Sequence, residues 1–138
     1  MAWKEKMKEY GGGDLTFLSE DGEVLFFVVV GDPVLLEGKY KGKPSVKIGA
    51  PVVTEDGFQM FVCGKRLARK ISKYDGQYDK VAFLAVRHGE MGDINSTYEL
   101  SLCDNKEKTK QLLAIAKRDF EPSMIAEAVT SALEVMQG

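Results

Sequence analysis

At 138 residues, 44% of them hydrophobic and 29% charged, the chain has the composition of one globular domain. A chain of that length buries about two-thirds of its unfolded surface without disulfide or metal staples. The longest uncharged apolar run, Val24 to Gly31, is too short to cross a bilayer, and no apolar stretch follows Met1-Ala2-Trp3-Lys4-Glu5-Lys6 as a secretory leader requires. The only cysteines, Cys63 and Cys103, sit far apart and His88 is the sole histidine. A disulfide framework, a zinc site or a two-histidine metal site is therefore not expected, nor is any cofactor or membrane partner.

The net charge of −2 hides an uneven distribution. Residues 1–35 carry −4, residues 36–73 carry +6, residues 74–105 carry −4 and the remainder is neutral. Nine of the bases are Lys39, Lys41, Lys43, Lys47, Lys65, Arg66, Arg69, Lys70 and Lys73, so an acidic body carries one basic stretch.

In chain order, Trp3 to Tyr10 is polar, a short helix or loose arm, and ends at Gly11-Gly12-Gly13. Asp21-Gly22 signals a turn between the β-rich runs Leu15-Thr16-Phe17-Leu18 and Val24 to Val30. The second run is continuous rather than alternating, which predicts a strand covered on both faces or strongly coiled through a core. Gly31-Asp32-Pro33 ends it, since Pro33 has no amide proton for a ladder. Two strands follow around Lys41-Gly42-Lys43-Pro44. In the second of them Val46, Ile48 and Ala50 alternate with Ser45, Lys47 and Gly49, predicting one apolar face and one open to solvent or ligand. Asp56-Gly57 turns the chain into the strand Phe58 to Cys63. Leu67 and Ile71 have helical spacing, predicting a short helix over Lys65 to Lys73 that Gly76 closes. Val81 to Val86 and Thr97 to Leu102 read as a strand pair joined by a Gly/Asp/Asn loop. Two helices complete the chain: Lys108 to Lys117 with the stripe Leu112, Leu113, Ile115 and Ala116, and a last one from Pro122-Ser123 with Ile125, Val129, Leu133 and Met136.

Short strands with Gly-rich turns, one intervening helix and two appended helices describe a mainly β domain spanning 1–138. The expected architecture is a five-stranded OB-fold-like barrel over about 15–103, with helices over about 106–137. The alternative is a general α+β sheet with helices on one side.

Nothing in the inventory points to catalysis. There is no G-x-S-x-G, H-E-x-x-H or Walker A run, and the pairs Glu20-Asp21 and Glu55-Asp56 each precede a turn glycine, where acids serve the backbone. The basic stretch says more. Binding single strands without sequence preference requires cations along the phosphates and flat rings for the bases. Candidates are Lys39, Tyr40, Lys41, Lys43 and Lys47, with Phe58 and Tyr74 flanking the Gly-Lys-Arg run. Lys39 and Lys41 share a strand face that Tyr40 does not, and a Lys-rich hairpin is also a solvated edge that resists aggregation. Lys65, Arg66, Arg69, Lys70 and Lys73 lie opposite Leu67 and Ile71, forming a basic amphipathic helix suited to a phosphate backbone. Arg87-His88 ends a strand, where a cation faces a groove and a lone histidine is commonly structural.

Gly64-Lys65-Arg66-Leu67 after a strand, then Val86-Arg87-His88-Gly89-Glu90 and Thr97-Tyr98-Glu99-Leu100, resembles phage-encoded single-stranded-DNA-binding proteins of OB-fold type. The resemblance covers roughly residues 24–103. It implies that Arg87 contacts phosphates, that Tyr98 lies in the binding groove, and that the protein acts in replication, recombination or repair in a host cytoplasm. The two separated cysteines cannot form the zinc-binding insertion of some relatives. The sequence ends Leu133-Glu134-Val135-Met136-Gln137-Gly138 without the acidic tail that recruits partners in many such binders. Recruitment then falls to the appended helices or to a tail beyond this sequence. The competing expectation is an interaction protein whose terminal helix makes a homo-oligomer or docks on replication proteins.

Overall fold

A computed structural model describes residues 15–16, 18, 20–40, 43–89 and 96–137, while the side chains at 38–40, 43, 45 and 131–137 fall outside that description. The readings of Trp3 to Tyr10, Gly11-Gly12-Gly13 and the Met91 to Asn95 loop lie outside it as well.

The chain is mainly β, a seven-stranded open mixed sheet with three helices among the described residues. The strands are β1 (Leu15–Thr16), β2 (Val24–Val29), β3 (Val34–Tyr40), β4 (Lys43–Thr54), β5 (Gly57–Cys63), β6 (Phe83–His88) and β7 (Thr97–Leu102). The helices are α1 (Lys65–Ser72), α2 (Lys106–Asp119) and α3 (Ser123–Gln137). The sheet order is β1-β5-β4-β2-β6-β7, with β3 paired to β4 beside that path.

The continuous run in β2 is buried on both faces, as its lack of alternation predicts: Phe27 and Val28, which point to opposite sides, are both fully buried. Phe27 meets Phe61 edge-on and stacks on Phe83, each at 5.5 Å between centroids. That core also takes Val52 of β4, Ala85 of β6 and Leu67 and Ile71 of α1, so the sheet coils around it. Val28 faces outward into a second cluster with Val53, Ala82 and Leu112 of α2.

β2 and β3 behave as one strand broken at Gly31-Asp32-Pro33. Val28 and Val29 pair with Val53 and Val52 of β4, and Val34 to Tyr40 continue along Gly49 to Lys43 of the same strand. β4 turns at Gly57, whose φ of 100° is the left-handed conformation that favours glycine, and pairs back as β5. β6 pairs with the first half of β2, and β7 pairs with β6.

Several expectations change. Asp21-Gly22 is the expected turn, but the runs it joins do not pair with each other: β1 pairs in parallel with β5 (Leu15↔Met60, Thr16↔Phe61). β6 starts at Phe83 and runs through Arg87 and His88, two residues later than the apolar pattern suggests. No pairing joins β5 to β7 among the described residues, so the sheet is open where a barrel would close. β5 gives its edge to β1, and Lys70 Nζ donates to the Tyr98 carbonyl of β7 at 2.8 Å. The face of Ser45, Lys47 and Gly49 is not open along its length either. A Cβ on Gly49 would stand 2.8 Å from Met60 Sδ and 3.1 Å from Leu36 Cδ1, so that face is closed at Gly49.

The appended helices cover the convex side. Asn105 caps α2 by accepting from the Lys108 amide at 3.1 Å, which starts the helix ahead of its apolar stripe. α3 packs on β3 and β5, with Val129 against Leu36 and Val62 and Ala128 fully buried. Ile125 Cδ1 lies 2.7 Å from where a Cβ on Gly31 would be, so the strand break leaves room for α3.

Candidate nucleic-acid interface

α1 forms because Leu67 and Ile71, one turn apart, reach the same core, and the other side of the helix is left to solvent. Lys65, Arg66, Arg69, Lys70 and Lys73 are all exposed. Arg69 and Lys70 stand in the last turn, where a cation complements the helix dipole. Lys65 and Arg66 stand at the opposite end, where the dipole adds to their positive potential instead of offsetting it. The helix contains no acid. Four of these cations (Lys65, Arg66, Arg69 and Lys73) have no ion-pair partner among the described residues.

α1 lies between β4 and β7. On one flank Lys70 is engaged with the Tyr98 carbonyl. On the other flank Ala68 and Ser72 border a cavity of about 250 Å³ shared with Ile48 and Ala50 of β4 and with Asp32 and Asp75. Lys65 and Arg69 follow that flank at four-residue spacing. Register places Leu35 opposite Ile48 and Glu37 opposite Val46, so Leu35 and Val46 continue the face of Ile48 beyond the core. They are 54% and 43% exposed. An apolar strip edged by the α1 cations thus runs onto the β3–β4 hairpin, where exposed Glu37 stands across from Val46. The alternation of Val46, Ile48 and Ala50 announces this apolar face; that the core stops before Val46 is not in the pattern.

The structure puts other candidates elsewhere. Arg87 is 7% exposed: its Nε donates to the Gly89 carbonyl at 2.8 Å, and its NH1 donates to Tyr98 Oη at 2.7 Å and to the Leu18 carbonyl at 3.4 Å. Its guanidinium also lies 5.4 Å from the Tyr98 ring centre. The pair clamps the Leu18 segment to β6 and β7, so Arg87 as placed does not meet a phosphate and the half-buried Tyr98 ring packs inward. His88 points to the opposite face from Arg87, exposed, 3.3 Å from Glu99.

Two expected stacking rings are also core rings. Phe58 stacks on Phe120 at 5.4 Å beneath α2, on the convex side. Tyr74 packs edge-on against Phe83 at 5.3 Å. Lys47 is exposed on β4, in register with Leu36. Its charge partly offsets the burial that pushes the neighbouring Cys63 thiol up to about 11. The backbones of Lys39, Tyr40 and Lys43 lie at the end of the β3–β4 hairpin, while their side chains and all of Lys41 lie outside the described residues.

A groove of about 800 Å³ runs between the 75–79 loop and α2, lined by Asp32, Asp75 and Asp79 over Val29, Leu113 and Phe120, and it meets the cavity beside α1 at Asp32, Asp75 and Tyr78. Tyr78 anchors that loop by donating to the Ile71 carbonyl at 2.9 Å. Burial raises its phenol pKa, and Asp75 and Asp32 add to the effect. The anionic groove therefore adjoins the flank of α1 at Asp32 and Asp75. Among the described residues no three His, Cys, Asp or Glu side chains are placed to hold a metal ion, and no helix is long and apolar enough to cross a membrane. The chain matches no family model, no curated protein and no solved structure.

Proposed function

We propose that the chain binds single-stranded DNA, largely without sequence preference and without catalysis, along the cationic face of α1 and the apolar strip beside it. The observation that carries this reading is four exposed cations on one short helix and a fifth, Lys73, at its C-cap, with no acid among them, bordering the exposed Leu35 and Val46. Phosphates would lie along Lys65, Arg66, Arg69 and Lys73, with base faces on Leu35, Val46 and the hairpin end that carries Tyr40.

The connectivity supports an OB-fold-like origin for the sheet. Taken as one broken strand, β2–β3 is followed by β4, β5, a helix, and then β6 and β7, with β6 returning to pair with the first strand. That is the strand and helix order of the five-stranded OB fold. Strand protection during replication, recombination or repair is the biological role that fits.

The test is fluorescence anisotropy of a labelled oligo-dT at low and moderate salt, with duplex as competitor. Micromolar or tighter binding that salt weakens and duplex competes poorly supports the proposal. No binding at low salt sinks it. The interaction-protein reading is less well supported, because the first half of the α3 stripe is already used against β3 and β5.

A further inference from the structure

β2 pairs with β4 only at Val28 and Val29, and its earlier residues pair with β6 on the other edge. The β4-side edge of Val24 to Phe26 is therefore left facing a cavity of about 360 Å³, walled by Leu15 and Thr16 of β1 and closed by the β4–β5 turn. That volume is within the range of small-molecule sites.

Gln59 lines this cavity from β5 and is only 9% exposed. Its side-chain amide has no hydrogen-bond partner among the described residues, yet no buried side-chain nitrogen or oxygen is both sealed from solvent and unpartnered. The amide therefore opens into the cavity. Water reaching the cavity can meet this amide, and a ligand that takes the place of that water must offer the same hydrogen bonds.

The rim narrows the choice of ligand. Lys108 pairs with Glu55 and stands 4.7 Å from the Phe26 ring centre, so its charge is already engaged. Asp56 has no ion pair among the described residues, although its backbone amide donates to Thr54 Oγ1 at 3.1 Å. The rim is therefore net negative by one charge and disfavours phosphate. A neutral, planar ligand with adjacent donor and acceptor groups satisfies both the Gln59 amide and the Asp56 carboxylate, and the edge of a nucleobase has that pattern.

We infer that the cavity between β2 and the β4–β5 turn binds one nucleobase, hydrogen-bonded by Gln59, with Asp56 accepting from a ring or exocyclic N–H. The base comes either from a free nucleoside or from a strand held on α1. The second source rests on the strand-binding proposal and the first does not.

The experiment follows the Gln59 side-chain amide resonance of the isotope-labelled full chain during titration with adenosine, cytidine, guanosine and uridine, with ribose as control. Parallel titrations use oligo-dA and the same oligonucleotide with one abasic position. Nucleosides are expected to move the resonance at up to millimolar concentration and ribose is not. Q59M, close in shape but without the amide, should bind at least tenfold more weakly. D56N, on an exposed turn, supplies a second variant and should weaken cytidine and uridine alike, since each offers an N–H to the carboxylate.

A shift with nucleosides alone assigns the free source. A shift with oligo-dA that the abasic oligonucleotide reproduces poorly assigns the strand. Neutralising α1 should abolish the oligonucleotide shift and leave the nucleoside shift intact, so failure of the strand reading and failure of the pocket look different. A Gln59 resonance unmoved by every nucleoside and oligonucleotide, or Q59M binding as tightly as the parent chain, overturns the inference.

Discussion

Replacing Arg87 with Met separates a structural cation from a phosphate ligand. The Arg87 guanidinium is 7% exposed and donates to three oxygens, the Gly89 and Leu18 carbonyls and Tyr98 Oη. Hydrogen bonds from a charged donor contribute about 1.5–3 kcal/mol each, and stranding their buried partners costs as much again, with the terms overlapping rather than adding. With three such bonds lost together and their energies overlapping, the expected cost is about 3–4 kcal/mol. Set against a domain stability of about 5–15 kcal/mol, that lowers the melting temperature by about 10–15 °C. The assay is urea and thermal unfolding by circular dichroism, followed by oligo-dT anisotropy below the melting range of the variant. Strand affinity should stay within about twofold and the salt dependence should not move, since no phosphate contact is lost. A variant that melts within about 1 kcal/mol of the parent while its log–log salt slope becomes shallower by about 0.7 would refute this, and make Arg87 a phosphate ligand.

Three further outcomes test the packing. Leu112→Ala should lose about 2–5 kcal/mol, because Leu112 is fully buried against Val28, Val53 and Ala82; a loss under about 1 kcal/mol in urea unfolding would mean that α2 does not seal the convex face. Burial pushes the Cys63 thiol up to about 11 from an ordinary 9.0, with Lys47 pulling it partly back. The fold thus favours the neutral thiol, and this contribution is intact below pH 9 and lost as the pH rises through 11. Urea unfolding at pH 8 and pH 10.5 should show Cys63→Val losing less stability than the parent chain, and equal losses contradict it. Removing residues 121–138 should abolish cooperative melting, because Ala128 and Val129 leave Leu36 and Val62 uncovered; a truncated chain that still melts cooperatively, with a lower mass in solution, favours assembly through α3 instead.

Much of the scaffold is legible because local rules decide it. The unbroken apolar run of β2 announces burial on both faces, the four-residue spacing of Leu67 and Ile71 announces α1, and Asp56-Gly57 announces the β4–β5 turn. What stays hidden depends on distant partners. The two-residue parallel pairing of β1 with β5 spans about 45 positions in sequence and leaves no period to detect. Arg87 reads as a surface cation because arginine is seldom buried; only the Leu18 carbonyl, 69 residues away, and Tyr98 make an interior place for it. Phe58 and Tyr74 look like free rings beside a basic run until Phe120 and Phe83 are seen to take them. The cations of α1 are legible as a group, since helical spacing alone sets them opposite the core. Leu35, Val46 and Gln59 are not, because an alternating pattern does not tell where the core ends or where two strands part.

The central claim is that the exposed face of α1 holds the strand, and a salt titration tests it most directly. Anisotropy of labelled oligo-dT is measured across a range of salt for the parent chain and for the variant with Lys65→Gln, Arg66→Gln, Arg69→Gln and Lys73→Gln. Four phosphate contacts at about 0.7 each predict that the log–log slope of the parent exceeds that of the variant by about 2.8. The variant should also melt at the parent temperature, since none of the four side chains enters the core. A folded variant that binds with the parent's affinity and slope would contradict the account and return α1 to a merely solvated surface.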